Sequence, residues 1–267
     1  MRIFALVLSL FASPAVAHEF WIEPLAYQVE ADGRLEAHLV NGQDFAGVKI
    51  PYLPRGFANF VTFTDINTAA RVRGRAGDMP ALQQDPLGEG LNVVVYQANP
   101  STIDYAEWEK FQAFVDHKDF GDILSIHQER GLPEEGFTEI YARFSKSLIG
   151  VGNSQGADTR VGLTTEIVAL TNPYTDDLTD GVQIQLFYLN EPRAQVQVEV
   201  FEKAADETVE VSFYRTDDEG IATFPVKAGH SYMLDAVVLR EPSAEAAAET
   251  GAVWETLWAN MTFAVPQ

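Results

Sequence analysis

The 267-residue chain contains no cysteine. Disulfides, thiolate metal sites and thiol nucleophiles are therefore excluded, and the fold must hold by packing and hydrogen bonding alone. Basic residues are scarce: 18 Lys and Arg stand against 39 Asp and Glu, a formal net charge of −21 with a pI near 4.4. Nucleic-acid affinity comes from Lys and Arg displacing counterions, and no basic patch is evident along the sequence. A charged partner is expected to be a cation, and nucleic acid is not expected. Long apolar runs are also missing, because Ala5–Ala12 is too short to span a bilayer and is followed by Pro14. The mature chain is expected to have no transmembrane span. A P-loop, a dinucleotide fingerprint and an HExxH motif are absent. The near miss to a nucleophile elbow, Gly152-Asn153-Ser154-Gln155-Gly156, opens a polar linker rather than a strand-to-helix turn.

What is present starts with a targeting pattern. Arg2, the apolar run and Ala15-Val16-Ala17 form a secretory signal over residues 1–17, with cleavage expected after Ala17. The expected location is the periplasm. Cleavage removes one cation and no acid, so 18 − 1 = 17 basic residues face 39 acidic ones, a balance of −22. The first mature residue is then His18.

With 46% hydrophobic residues and 17 Phe, the mature chain can bury substantial cores. Residues 18–100 read as short strands, ending in the buried-strand run Leu91–Tyr96, and predict an N-terminal β-sandwich. From Asp104 the spacing of Trp108, Phe111 and Val115 predicts an amphipathic helix. A second helix is expected after Pro133, with Phe137, Ile140, Tyr141, Phe144 and Leu148 on one stripe and Gly150 as C-cap. Residues 101–150 thus read as a helical segment packed on the first sandwich. A Gly-rich linker, 151–162, leads to seven candidate strands, at 164–170, 182–189, 194–202, 209–215, 221–226, 231–240 and 254–265. These predict an immunoglobulin-like sandwich over 160–267. Ala244–Thr250 reads as an acidic loop. The expected fold is mainly β: two antiparallel β-sandwich domains of immunoglobulin-like type with a helical pair between them.

A histidine at a mature N-terminus offers its free amine and its ring Nδ1 to one metal ion. Such nitrogen donors suit nickel, cobalt, copper and zinc rather than calcium or magnesium. Four other histidines, His38, His117, His127 and His230, have no compact ligand spacing, so any multi-histidine site must be assembled by the fold. His127, His230 and His38 are the candidates to join His18. His117 and His127 otherwise read as part of a solvated polar face, and His38 as facing out of its sheet.

Four stretches carry a resemblance: His18-Glu19-Phe20-Trp21-Ile22-Glu23-Pro24, Glu139–Ser147, Glu166–Pro173 and Trp254–Phe263. Together they resemble, in order and over essentially the whole mature chain, the exported bacterial family of domain of unknown function 4198. That family is often labelled a periplasmic component of cobalt or nickel uptake. The resemblance implies a non-enzymatic binding protein for a transition-metal ion, nickel, cobalt or copper, working with an inner-membrane metal transporter. Of its features only the mature-terminal His18 carries over as a ligand. Two other readings stand beside it. One is a copper oxidase acting on polysaccharide through a brace of two histidines, with Trp21, Tyr27 and Tyr52 as an aromatic surface. The other is a metal-free adhesion or scaffold module.

Overall fold

A computed structural model describes residues 18–65 and 67–267, so the expected signal segment lies outside the described residues. Alternating apolar and polar side chains, broken by Gly- and Asp-rich turns, put most of the chain into strands. The first nine are β1 (Glu19–Pro24), β2 (Gln28–Val29), β3 (Leu35–Gln43), β4 (Ala46–Ile50), β5 (Phe57–Asp65), β6 (Thr68–Arg71), β7 (Leu82–Gln84), β8 (Gly90–Ala98) and β9 (Ser101–Tyr105). Helices α1 (Trp108–His117) and α2 (Ile123–Glu129) follow, and then the long strand β10 (Phe137–Val151). After it come β11 (Thr165–Ala169), β12 (Val182–Tyr188), β13 (Glu191–Pro192), β14 (Gln197–Lys203), β15 (Val209–Arg215), β16 (Ile221–Phe224) and β17 (Ser231–Arg240). Helix α3 (Ala244–Thr250) and strand β18 (Ala252–Ala264) complete the chain.

The strands form three sheets. A ten-stranded sheet in the order β15-β14-β17-β18-β10-β8-β5-β6, with β2 and β9 also paired to β10, draws strands from both ends of the chain. Its pairings are antiparallel except where β10 meets β18 and β2. A small sheet of β1, β3, β4 and β7 packs Phe20, Ile22, Leu35 and Leu39 against Val94, Tyr96 and Ile149 of the large sheet. On its other face Trp21, Val40 and Phe45 meet Phe201 and Met233. The third sheet, β11, β12, β13 and β16, closes the largest core against Leu148, Leu234, Met261 and Phe263.

Three expectations are corrected. Residues 137–151 form a strand, not a helix. Their helical stripe coexists with an alternation in which Ala142, Phe144 and Leu148 face the largest core while Glu139, Tyr141, Arg143 and Ser145 face the opposite way. Ten hydrogen-bonded register partners on β18 decide for the strand, since backbone pairing and burial on both faces override local propensity. The first helix starts at Trp108 rather than Asp104, because Ser101–Tyr105 pairs with β10. Finally, Ala244–Thr250 is a helix: the Ser243 hydroxyl accepts the Ala246 N–H at 3.1 Å, and Gly251, at φ 72°, ends it in the left-handed conformation.

Candidate ligand cleft and the histidines

Where the start of β1 meets α1, β9 and the long strand β10, the surface opens into a cleft of about 960 Å³. That is within the size range of small-molecule sites. Strand alternation sets its floor: Glu139, Tyr141 and Arg143 project from one face of β10, and Trp258 lies beside Arg143 on β18. Phe20 of β1 and Tyr96 of β8 stack at 5.0 Å as one wall, and Tyr105 and Phe114 form another. Two side-chain bonds fix β1 over the large sheet: Ser145 Oγ donates to the Phe20 carbonyl at 3.0 Å, and Thr262 Oγ1 to the Ile22 carbonyl at 2.7 Å.

Arg143 is the cleft's central cation. Its guanidinium lies 4.5 Å from the Tyr141 ring and 5.9 Å from Phe20, and its Nη2 donates to the His18 carbonyl at 3.1 Å. Its Nε is buried and has no acceptor among the described residues. Glu139 is buried deeper. Tyr105 donates to its Oε2 at 3.0 Å and Thr256 to its Oε1, while Thr256 accepts from the Trp258 indole at 3.0 Å. Burial pushes the Glu139 carboxyl up to about 7 despite these hydrogen bonds. The same burial, with Glu139 alongside, raises the Tyr105 phenol.

Behind the Trp258 ring lies a buried charged cluster. Lys118, 4.8 Å from the centre of that ring, contacts Glu199 at 2.8 Å, Asp235 at 3.0 Å and Glu19 at 3.7 Å. Burial, helped by Asp235, pushes Glu19 up to about 8 although Lys118 opposes it. Burial also raises Asp235, against the pull of Lys118. Glu199 moves down in spite of its burial, because His117 and Lys118 bond to it. The register carries a polar row across four strands, Glu199–Asp235–Asn260–Ser145. Both amide atoms of Asn260, Asp235 Oδ1, Glu19 Oε2 and the Trp21 indole N–H are buried without a hydrogen-bond partner among the described residues.

Of the four histidines expected as metal ligands, the structure brings only His18 to this cleft, exposed at its rim. His127 is fully buried, contrary to a solvated polar face. Its Nε2 donates to the Pro133 carbonyl and its Nδ1 accepts the Trp254 indole N–H, each at 2.9 Å, which fixes one tautomer and occupies both nitrogens. The rings of Trp108, Phe111, Phe137 and Trp254 enclose it. His38 pairs with Glu23 at the far end of β1, four register positions from the Glu19–Gly42 pair, roughly 13 Å away along the strand. It is half-buried, its Nδ1 has no hydrogen-bond partner among the described residues, and burial, aided by Lys49, lowers its pKa. His230 stands 3.1 Å from Glu202 beyond the start of β17, five residues from Asp235 and so roughly 16 Å along the strand from the Lys118 cluster. His117 faces Glu199 at 3.4 Å.

Ligands to one metal must lie within a few ångströms of each other, so these four do not assemble one site. Nor does a second histidine line the cleft beside His18, as a copper brace there would require. Among the described residues no group of three or more His, Asp or Glu is arranged to hold a metal ion. The alternation along β10 was the sequence signal for Glu139, Tyr141 and Arg143 as neighbours. Nothing local marked Trp258 or Tyr96 as cleft residues.

A family model described as Domain of unknown function (DUF4198) matches residues 15–240. A search of curated proteins gives no match.

Proposed function

The chain belongs to the DUF4198 family, and on that premise we propose that it is an exported, non-catalytic binding protein that takes a transition-metal ion at His18. One observation carries this reading: His18 alone among the five histidines sits at the rim of the cleft, where Arg143 holds its backbone carbonyl at 3.1 Å and leaves its ring exposed. Cleavage after Ala17 frees the amine, and amine and ring nitrogen then close a chelate on one ion. Amine and imidazole favour nickel, cobalt or copper. The remaining coordination positions fall to water or to an incoming ligand, so the ion is held for transfer, in this reading to an inner-membrane transporter, rather than locked in a structural cage. The β-sandwich halves, immunoglobulin-like in this reading, serve as the rigid frame that presents the N-terminus. The acidic surface raises the local cation concentration.

The test is calorimetric titration of residues 18–267, which contain every strand and helix described, with Ni(II), Co(II), Cu(II) and Zn(II). A chain carrying one extra N-terminal Ala is titrated in parallel. The extension moves the amine away from the ring and is expected to weaken binding by at least tenfold, about 1.4 kcal/mol. Equal affinity in the two chains would refute the reading. No binding by either chain would leave the metal-free module in its place.

A further inference from the structure

The cleft has a second feature that the metal does not use, a partly exposed guanidinium set between aromatic rings in an otherwise acidic protein. Acids outnumber bases 39 to 18 over the chain, yet the cleft lining has Arg55, Lys110 and Arg143 against Asp104 and Glu139. Glu139 faces Tyr105 and Thr256, and Asp104 accepts the Thr138 hydroxyl at 2.7 Å. Lys110 is held by Glu107 at 2.9 Å. Arg143 has no carboxylate within salt-bridge distance among the described residues, and only one of its donors, on Nη2, is taken.

A guanidinium is a planar fork whose parallel N–H groups match a carboxylate in two-point contact. Beside it the cleft is lined by the half-buried Tyr141 ring and by the stacked Phe20–Tyr96 pair, which is largely buried, an apolar aromatic wall against which a flat body can lie. The volume leaves room for more than a bare anion. We propose that the cleft binds an aromatic carboxylate, its carboxylate on Arg143 and its ring against Phe20, Tyr96 and Tyr141. A carboxylate in this position lies next to His18, but binding does not require a metal ion.

The experiment uses residues 18–267 in EDTA, so its outcome is independent of metal binding at His18. Binding of 1-naphthoate is followed by ligand fluorescence and calorimetry, beside its neutral analogue 1-naphthylmethanol, acetate and inorganic phosphate. Naphthoate is expected to bind roughly tenfold to a hundredfold more tightly than naphthylmethanol, the difference that a charge-assisted pair supplies. Acetate and phosphate are expected to bind more weakly than naphthoate. Arg143→Gln should remove the preference for the anion, and Arg143→Lys should restore part of it. Thermal melts of both variants check that they remain folded. Equal binding of naphthoate and its alcohol, unchanged binding in Arg143→Gln, phosphate binding tighter than naphthoate, or no naphthoate binding at millimolar concentration would each overturn the proposal.

Discussion

Lys118 and Lys146 are both buried against carboxylates, yet their surroundings complete them to different degrees. Lys146, from the core-facing side of β10, contacts Asp158 at 2.6 Å and Glu166 at 3.2 Å and donates to the Thr159 carbonyl at 3.2 Å. Glu166 also accepts the N–H groups of Val161, Gly162 and Leu163, and Asp158 that of Ala169. The linker that reads as Gly-rich and polar in the sequence is thereby wrapped around an ion pair. Lys118 instead faces three carboxylates, for which no comparable set of backbone amides is found among the described residues, next to an Asn260 whose amide has no partner among them. The first cluster closes a loop onto the core. The second, behind the cleft, carries an excess of acid that raised pKa values relieve by retaining protons.

The largest effect should come from opening the closed cluster. Lys146→Met leaves Asp158 and Glu166 buried without their cation and is expected to cost about 3–5 kcal/mol in urea unfolding, the range for breaking a buried pair. A loss below about 1 kcal/mol would show that the amide bonds alone hold the linker, and the contrast with Lys118 would fail.

The open cluster should show itself as a pH dependence. Glu19 titrates near its ordinary 4.5 when unfolded and is pushed up to about 8 when folded. Between those values the folded state holds a proton that the unfolded state has released, so stability falls as pH rises from about 4.5 through about 8. Glu139, raised to about 7, and Asp235, also raised, act with the same sign. Glu199, which moves down, acts below this window. Melting temperature is therefore expected to decline from pH 5 to pH 8, and Glu19→Gln should flatten part of that decline. Identical slopes in the two proteins would remove Glu19 from the account.

The strands of the C-terminal half were legible because each carries its own signal. Val209–Arg215 alternates apolar and polar residues and Ser231–Arg240 is a mostly apolar run, each bounded by turn residues, and the structure places them within the same bounds. Phe137–Val151 was not, because its apolar residues fit the helical and the alternating period at once and its partner β18 lies over a hundred residues away. His127 was misplaced for a related reason. Its polar sequence neighbours suggested solvent, whereas its actual neighbours are Trp254 and Phe137, which only tertiary structure supplies. The cleft shares this non-local origin, since its lining comes from β1, β3, β4, β8, β9, α1, β10 and β18 and the loops between them. His18 is visible because the expected processing site marks it independently of the fold.

The smallest expected effect has the opposite sign and bears most directly on whether the second cluster is open. Asn260 lies level with Asp235 on one side and Ser145 on the other, but Ser145 spends its hydroxyl proton on the Phe20 carbonyl. An amide buried without partners costs about 1–3 kcal/mol relative to one left in water, and an apolar side chain of similar shape escapes that cost. Asn260→Leu is therefore expected to stabilise the protein by roughly 1 kcal/mol in urea unfolding, with part of the gain lost to placing a leucine beside the Asp235 carboxylate. A clear destabilisation would mean that the amide bridges to Asp235 Oδ1 and Glu19 Oε2 through an occupant of the cluster. The Lys118 site would then be as complete as that of Lys146, and the protons held by Glu19 and Asp235 would need a different explanation from an excess of buried acid.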